Sequence, residues 1–132
     1  QLLGRLAIWS SNREEALQFT AAGDLEQALQ RLTARLPENA LVILRDGPQG
    51  CWLARGDWCL QVPGFAVEAV DTNCAGDAHI GVFLASLAAG LPEPAAAARA
   101  NAAAAIAVTR HGPATCPQAS ELDAFLAEQA IR

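Results

Sequence analysis

The chain has no lysine, and all nine of its positive charges are arginines. A Walker-type phosphate loop requires a lysine, so these residues contain no such loop. The formal net charge is −5, and the arginines form no basic cluster. This composition argues against nucleic-acid binding. No apolar run is long enough and free enough of glycine to span a bilayer, so we expect no membrane segment.

Metal-ligating residues are also scarce. The chain has two histidines, His79 and His111, and four cysteines with no Cys-x-x-Cys pair. A structural zinc site is therefore not expected, and the cysteines are predicted to be reduced thiols of a cytoplasmic protein. Methionine is absent as well. Because Gln1 is not an ordinary translation start, we expect further residues upstream and interpret the chain as part of a longer domain.

Short apolar runs alternate with helical patterns along the chain. Residues 7–10 and 40–44 are typical of strands in a buried parallel sheet, and residues 51–54 and 58–62 form a predicted hairpin. Predicted helices cover residues 13–23, 24–36, 75–89, 92–107 and 121–130, the last with Ser120 as its N-cap. This alternation predicts a layered α/β fold with a small sheet.

The segment Val70–Gly81 reads VDTNCAGDAHIG and indicates a chemistry. Asp77 follows small residues and immediately precedes an apolar helix. The start of such a helix offers unpaired backbone N–H groups and partial positive charge, which together bind anions. A carboxylate at the rim of an anion site can take a proton from a hydroxyl that attacks a phosphate. Helix capping alone explains Asp77, but it explains neither the small residues before it nor a second acid at Asp71.

A second candidate pair, Asn12 and Glu15, stands at the predicted start of a helix. Asparagine at the N-cap with glutamate three residues later is a variant of the capping box. Glu15 is also suited to ordering water around Mg²⁺, because this ion binds few carboxylates and keeps several of its waters. The residues alone leave both interpretations open.

Three further positions carry alternatives of their own. The loop Arg45–Gly50 follows a predicted buried strand, where ligands of open α/β sheets bind. An ordinary connection to the hairpin explains that loop equally well. His79 is expected to be a hydrogen-bonded core histidine more readily than a ligand contact. Asn101, a polar residue in the alanine-rich helix, either faces solvent or contacts a purine.

Val70–Gly81 resembles the second signature of the ribokinase-like (PfkB) carbohydrate kinases, commonly written D-T-x-G-A-G-D. Four other motifs follow the family's order and approximate spacing: Asn12-x-x-Glu15, the loop over residues 44–50, residues 100–102 and residues 108–112. The resemblance covers essentially the whole chain. It implies a three-layer α/β/α ribokinase-like fold, of which residues 1–132 are the C-terminal nucleotide-binding and catalytic part. The N-terminal part, with the sugar-binding residues and a small β lid, is absent.

The resemblance implies an ATP-dependent kinase that acts on a sugar or a similar hydroxyl compound with Mg²⁺, and in many members with a monovalent cation such as K⁺. It makes Asp77 the catalytic base. The implied anion hole consists of Cys74, Ala75, Gly76 and the amide of Asp77. The implied phosphate and nucleotide contacts are Asn12, Arg45, Gly47, Gly50 and Asn101. Glu15 is implied for magnesium, and the implied monovalent-cation ligands are Asp71, Asn73, Ala107, Arg110 and Gly112.

Two positions depart from the family pattern. Cys74 stands where the family usually has glycine, and its Cβ requires a negative φ. Arg45 stands where threonine or lysine is common. This part alone is not expected to be active, because positioning supplies much of catalysis.

Several functional alternatives stay open. The residues do not distinguish ribose, fructose, a keto-deoxy sugar acid and a nucleoside as the substrate. A non-catalytic ligand-binding or regulatory protein that retains the kinase fold is one alternative to a kinase. A structural half-domain without nucleotide is another. A homodimer of the full-length protein also stays open.

Overall fold

The computed structural model describes residues 3–131, so Gln1, Leu2 and Arg132, at the ends of the predicted domain, lie outside the described residues. The chain divides into two compact units, residues 1–62 and 63–132. All four strands of the described residues lie in the first unit, and the last three α-helices lie in the second. Within residues 3–131, no helix combines the length and the hydropathy that crossing a membrane requires.

The first unit is a four-stranded mixed sheet with two α-helices. The strands are β1 (Ile8–Asn12), β2 (Leu41–Arg45), β3 (Cys51–Arg55) and β4 (Trp58–Val62), and the helices are α1 (Arg13–Thr20) and α2 (Leu25–Arg35). One-turn 3-10 helices occupy Leu3–Arg5 and Gly47–Gln49. The sheet order is β1-β2-β3-β4, with β1 parallel to β2 and the remaining neighbours antiparallel. The two predicted strands and the predicted hairpin are confirmed.

The core of this unit forms where α1 and α2 cover one face of the sheet. Val42 and Leu44 of β2 pack there with Ala16 of α1 and with Ala28 and Leu32 of α2. Residues 41–44 are all buried. A continuous apolar run therefore marks an interior strand, as its composition predicted.

Helix α1 ends earlier than its sequence predicted. The predicted end was Gly23, but the helix stops at Thr20, and Ala21 takes the left-handed conformation with φ 53°. Arg31 of α2 explains this end, because its Nη1 donates to the carbonyls of Thr20 at 2.9 Å and Ala21 at 2.7 Å. The guanidinium of a residue in the next helix thus satisfies carbonyls that the end of α1 leaves unpaired.

The second unit consists of an extended segment and three helices. The helices are α3 (Ala75–Ala88), α4 (Glu93–Val108) and α5 (Ala119–Ile131). Helix α3 ends in a Schellman motif, with Gly90 at φ 91°. The Gly90 N–H donates to the carbonyl of Leu87, and the Leu91 N–H donates to the carbonyl of Ser86. Small apolar residues of α4 pack with Leu122 of α5. Phe65 of the extended segment meets Phe125 edge-on, with ring centroids 5.3 Å apart.

Helix α5 does not begin as predicted. Ser120 was expected to be the N-cap, but the helix begins at Ala119 and Ser120 lies in its first turn. Gln118 takes the capping place instead. Its carbonyl accepts from the N–H of Leu122 at 3.0 Å, and its own N–H donates to the Glu121 carboxylate at 3.1 Å. This hydrogen bond between a backbone N–H and the side chain of a glutamate three residues later, as in a capping box, fixes the start of the helix.

Candidate functional site

The loop before α3 is built around the Asp71 carboxylate. Its Oδ1 accepts from the N–H of Asn73 at 2.9 Å, and its Oδ2 accepts from the N–H of Gly112 at 3.2 Å. The N–H groups of Val70 and Asp71 both donate to the carbonyl of Val108. The loop is therefore tied to the end of α4 and to the segment that follows it.

The backbone hydrogen bonds to Asp71 also affect its pKa. The N–H groups of Asn73 and Gly112 hold the pKa of Asp71 below its ordinary value, with a smaller contribution from His111. A carboxylate that accepts two backbone hydrogen bonds is stabilised in its charged form. Asp71 thus supplies a fixed negative charge beside the start of α3.

The N-terminus of α3 presents backbone donors beside a carboxylate. The first bond of the helical ladder runs from Ala78 N–H to the Cys74 carbonyl at 3.0 Å, and Ala75 N–H donates to Thr72 at 3.3 Å. The N–H groups of Gly76 and Asp77 precede that first bond, where an α-helix supplies no carbonyl partner. The Asp77 side chain lies in the same turn and is exposed.

Cys74 takes the conformation that its side chain requires. It is the N-cap of α3, with φ −102° and ψ 0°, and it is buried. The negative φ predicted from its Cβ is confirmed. The backbone at this position therefore does not need glycine, although the family usually has one there.

The remaining predicted cation ligands lie at the end of α4. The Ala107 carbonyl accepts from the N–H of Arg110 at 3.2 Å, and the Arg110 side chain pairs with Glu121. The pKa of Glu121 is lowered, first by its hydrogen bond from Gln118 N–H and then by Arg110. Of the five predicted ligands, Asp71, Asn73 and Gly112 are joined directly by hydrogen bonds. Within residues 3–131, no cluster of three or more acidic, histidine or cysteine side chains is arranged as a metal site.

Asn101 is buried, so the solvent-facing alternative is wrong. Its Oδ1 lies 2.9 Å from Nε2 of His79, and its Nδ2 donates to the carbonyl of Pro63 at 3.1 Å. His79 is also buried, which confirms the core histidine expected from the sequence. The spacing of these two residues in the sequence does not show that they are partners. The available signal was that both are polar residues in helices made largely of small and apolar ones.

In the first unit, Asn12 and Glu15 bind each other. Asn12 Oδ1 accepts from the N–H of Glu15 at 2.8 Å, and Asn12 Nδ2 donates to Glu15 Oε1 at 2.8 Å. Asn12 is thus the N-cap of α1, which the capping interpretation predicted. Glu15 is exposed. In the parallel pairing of β1 and β2, Asn12 lies opposite Arg45, so both stand at the carboxyl ends of their strands.

The loop after β2 is a tight turn that depends on glycine. Gly47 has φ 55° and Gly50 has φ 96°, both in the region that disfavours a Cβ. Asp46 N–H donates to the Gly50 carbonyl at 2.8 Å, and Arg13 pairs with Asp46 at 3.4 Å. The loop thus joins the end of β2 to the start of α1.

The family model for pfkB family carbohydrate kinases matches residues 1–120. The chain belongs to this family. The sugar kinase YegV of Escherichia coli is a relative with 35% identity over 115 residues, covering 86% of this chain and 36% of its own length.

Solved structures of a ribokinase II and of a fructokinase share the fold. An E. coli protein assigned as a ribokinase II, in complex with ATP and Mg²⁺, superposes with a TM-score of 0.82 at 28% identity and covers 92% of this chain. The Vibrio cholerae fructokinase with fructose, ADP and calcium gives a TM-score of 0.82 at 28% identity and covers 91% of this chain. A double mutant of that fructokinase contains fructose, ADP and potassium. The chain spans 39% and 41% of the first two structures, so the predicted ribokinase-like α/β fold is confirmed for part of a family member.

Proposed function

We propose that the intact protein transfers the γ-phosphoryl group of ATP to a sugar hydroxyl, with Asp77 as the general base. The observation that carries this proposal is the N-terminus of α3. An exposed carboxylate stands there in the same turn as the Gly76 and Asp77 amides, which precede the first bond of the helical ladder. Membership of a carbohydrate kinase family supports the assignment. We expect such an ATP-consuming enzyme in the cytoplasm.

The chemistry assigned to these groups is in-line displacement. The Asp77 carboxylate takes the proton of the sugar hydroxyl while that oxygen attacks the γ-phosphorus and the bond to the departing ADP oxygen breaks. The amides of Gly76 and Asp77 donate to the oxygens on which negative charge accumulates. Proton removal by a positioned base contributes about 10²–10⁴-fold to the rate.

Magnesium fits the environment of Glu15. This carboxylate is exposed, and its Oε1 is oriented by the bond from Asn12 Nδ2. A single oriented carboxylate suits an ion that keeps several of its waters. Bound magnesium would offset the charge of the phosphates. The ATP and Mg²⁺ in the E. coli ribokinase II structure support this assignment.

A monovalent cation fits the loop around Asp71. The carboxylate is kept ionised by two backbone donors, and carbonyls of this loop and of the end of α4 provide neutral oxygens. The cation would be held by Asp71 with backbone oxygens of Asn73, Ala107, Arg110 and Gly112. It would stiffen the loop and add positive field near the anion position. The potassium in the fructokinase double mutant supports this assignment.

The decisive test is Asp77→Asn in the intact protein, assayed against a panel of sugars and nucleosides with ATP and Mg²⁺. We expect kcat to fall by about 10²–10⁴-fold while ATP binding is retained. Glu68→Gln, which alters an exposed carboxylate on the extended segment, is the matched control and should keep kcat. Unchanged turnover in Asp77→Asn would overturn the role of Asp77. Ligand binding by the wild-type protein without any phosphorylation would instead favour the non-catalytic alternative.

A further inference from the structure

The buried surface of α4 consists mostly of small side chains, whereas α3 contributes one large buried side chain, Phe83. The buried residues of α4 are mainly alanines, among them Ala96, Ala97, Ala100 and Ala103. Methyl groups permit close packing but do not project far enough to interlock with the side chains of a neighbouring helix. The alanines of α4 therefore add little to fixing how far α3 is rotated about its axis or shifted along α4.

One buried polar pair adds a directional contact between the two helices. His79 of α3 is 2% exposed and Asn101 of α4 is 5% exposed, and their side chains lie 2.9 Å apart. Because Asn101 Nδ2 donates to the Pro63 carbonyl, its Oδ1 faces His79 and must accept. The His79 ring therefore carries its proton on Nε2 in this bond. Separating a buried pair like this leaves polar groups without partners, which is costly.

His79 lies two residues after Asp77 in the same helix. An α-helix turns about 100° per residue, so side chains two positions apart point to nearly opposite sides. His79 is accordingly buried, whereas Asp77 is exposed. The pair anchors the inner side of the turn whose outer side carries the carboxylate.

We propose that His79 and Asn101 are a positioning pair, which sets the rotation of the α3 N-terminus and so the direction of the Asp77 carboxylate and its neighbouring amides. This inference rests on the proposed kinase function. It also gives Asn101 a different role from the nucleotide contact that the family resemblance implies, since both polar atoms of its amide group are engaged within the unit.

The test compares His79→Phe, Asn101→Ala and the double variant in the intact protein. Each single variant should lower kcat by about 10–100-fold, as expected for a misplaced reacting group, and should change the KM for ATP less than twofold. The double variant should be no worse than the singles, because both remove one interaction. His79→Gln keeps an N–H donor and should recover most of the kcat. Ser86→Ala, which removes another buried polar side chain of α3, is the control and should keep kcat.

Two results would overturn the inference. A large rise in the KM for ATP confined to Asn101→Ala would assign Asn101 to the nucleotide instead. Additive losses in the double variant would mean that the two residues act independently. If His79→Phe does not fold, Asn101→Ala carries the same prediction, because alanine suits this helix.

A second readout separates this inference from the kinase assignment. Amide hydrogen exchange should quicken at residues 78–81, the first hydrogen-bonded amides of α3, in His79→Phe, while the C-terminal half of α3 keeps its protection. Absence of sugar phosphorylation in the wild-type protein would refute the proposed function and leave this exchange prediction intact. Unchanged exchange at residues 78–81 would refute the positioning role, whatever the activity.

Discussion

The Asp71 carboxylate accepts a hydrogen bond from the backbone N–H of Gly112 at 3.2 Å, across 41 residues of sequence. The contact joins the loop before α3 to the loop after α4, so it holds together two parts of the second unit that are distant in sequence. Asn73 N–H holds the other carboxylate oxygen at 2.9 Å. One side chain thus orders two loops that the family resemblance assigns to a cation site.

Asp71→Asn should remove a pH-dependent part of the stability. The N–H groups of Asn73 and Gly112 lower the pKa of Asp71, so its contribution is present above the ordinary value near 3.8. That contribution is lost as the pH falls through the lower folded-state pKa. The free energy of unfolding of the variant should therefore be lower than that of the wild type at neutral pH. The gap between them should narrow as the pH falls below about 4 and should close once the pH is below the folded-state pKa.

Urea unfolding at a series of pH values measures this gap. Thr72→Ala changes the exposed neighbour of Asp71 and keeps the carboxylate, so it serves as the control and should follow the wild-type profile. A gap between Asp71→Asn and the wild type that does not change with pH would show that the two backbone bonds contribute nothing through ionisation.

The sequence predicted the features that depend on local pattern. The apolar run of β2, the hairpin and the N-cap at Asn12 each follow from residues close together in the chain. It did not predict the end of α1, because the cation that satisfies the last carbonyls, Arg31, comes from α2. The bond between His79 and Asn101 was missed for the same reason, since spacing does not show which faces of two helices meet.

Asn12→Ala should reveal whether this N-cap has a role beyond the helix. Loss of its bond to Glu15 N–H should lower the free energy of unfolding by about 1 kcal/mol. Asp24→Ala is a matched control, because Asp24 caps α2 through Gln27 N–H at the same 2.8 Å. Denaturant unfolding should show similar losses for both variants, whereas kcat/KM for ATP with Mg²⁺ should fall only in Asn12→Ala. Equal activity in both variants would limit Asn12 to capping.

Glu15→Gln removes the negative charge of the side chain that binds Asn12 and keeps an oxygen for the hydrogen bond. Glutamine keeps an oxygen that can accept from Asn12 Nδ2, so stability should change little. The magnesium concentration that gives half-maximal activity should rise, because the variant lacks the carboxylate proposed to order the ion's waters. A magnesium titration that matches the wild type would remove Glu15 from the proposed metal site.

Cys74→Gly should cost stability and leave the chemistry in place. At φ −102° the backbone already suits a side chain, so glycine adds flexibility to the unfolded chain and lowers the free energy of unfolding by about 0.5–1 kcal/mol, apart from the lost burial of the thiol. Cys74→Ala keeps the Cβ and should lose less. In both variants kcat should stay close to that of the wild type, because the proposed anion hole uses the backbone at this position and not the side chain. A large rise in kcat in Cys74→Gly would instead show that the side chain obstructs the phosphate position.

Two glycines of the α3 region should respond in opposite directions to alanine. A Cβ at either Gly81 or Gly90 would meet nothing within 4 Å among the described residues, so crowding does not distinguish them. Gly81 lies inside α3, where alanine should raise the free energy of unfolding by about 0.5–1 kcal/mol. Gly90 has φ 91°, and alanine there should lower the free energy of unfolding by about 1–2 kcal/mol. Urea unfolding of the two variants measures both changes, and destabilisation by Gly81→Ala would mean that another part of the intact protein occupies that space.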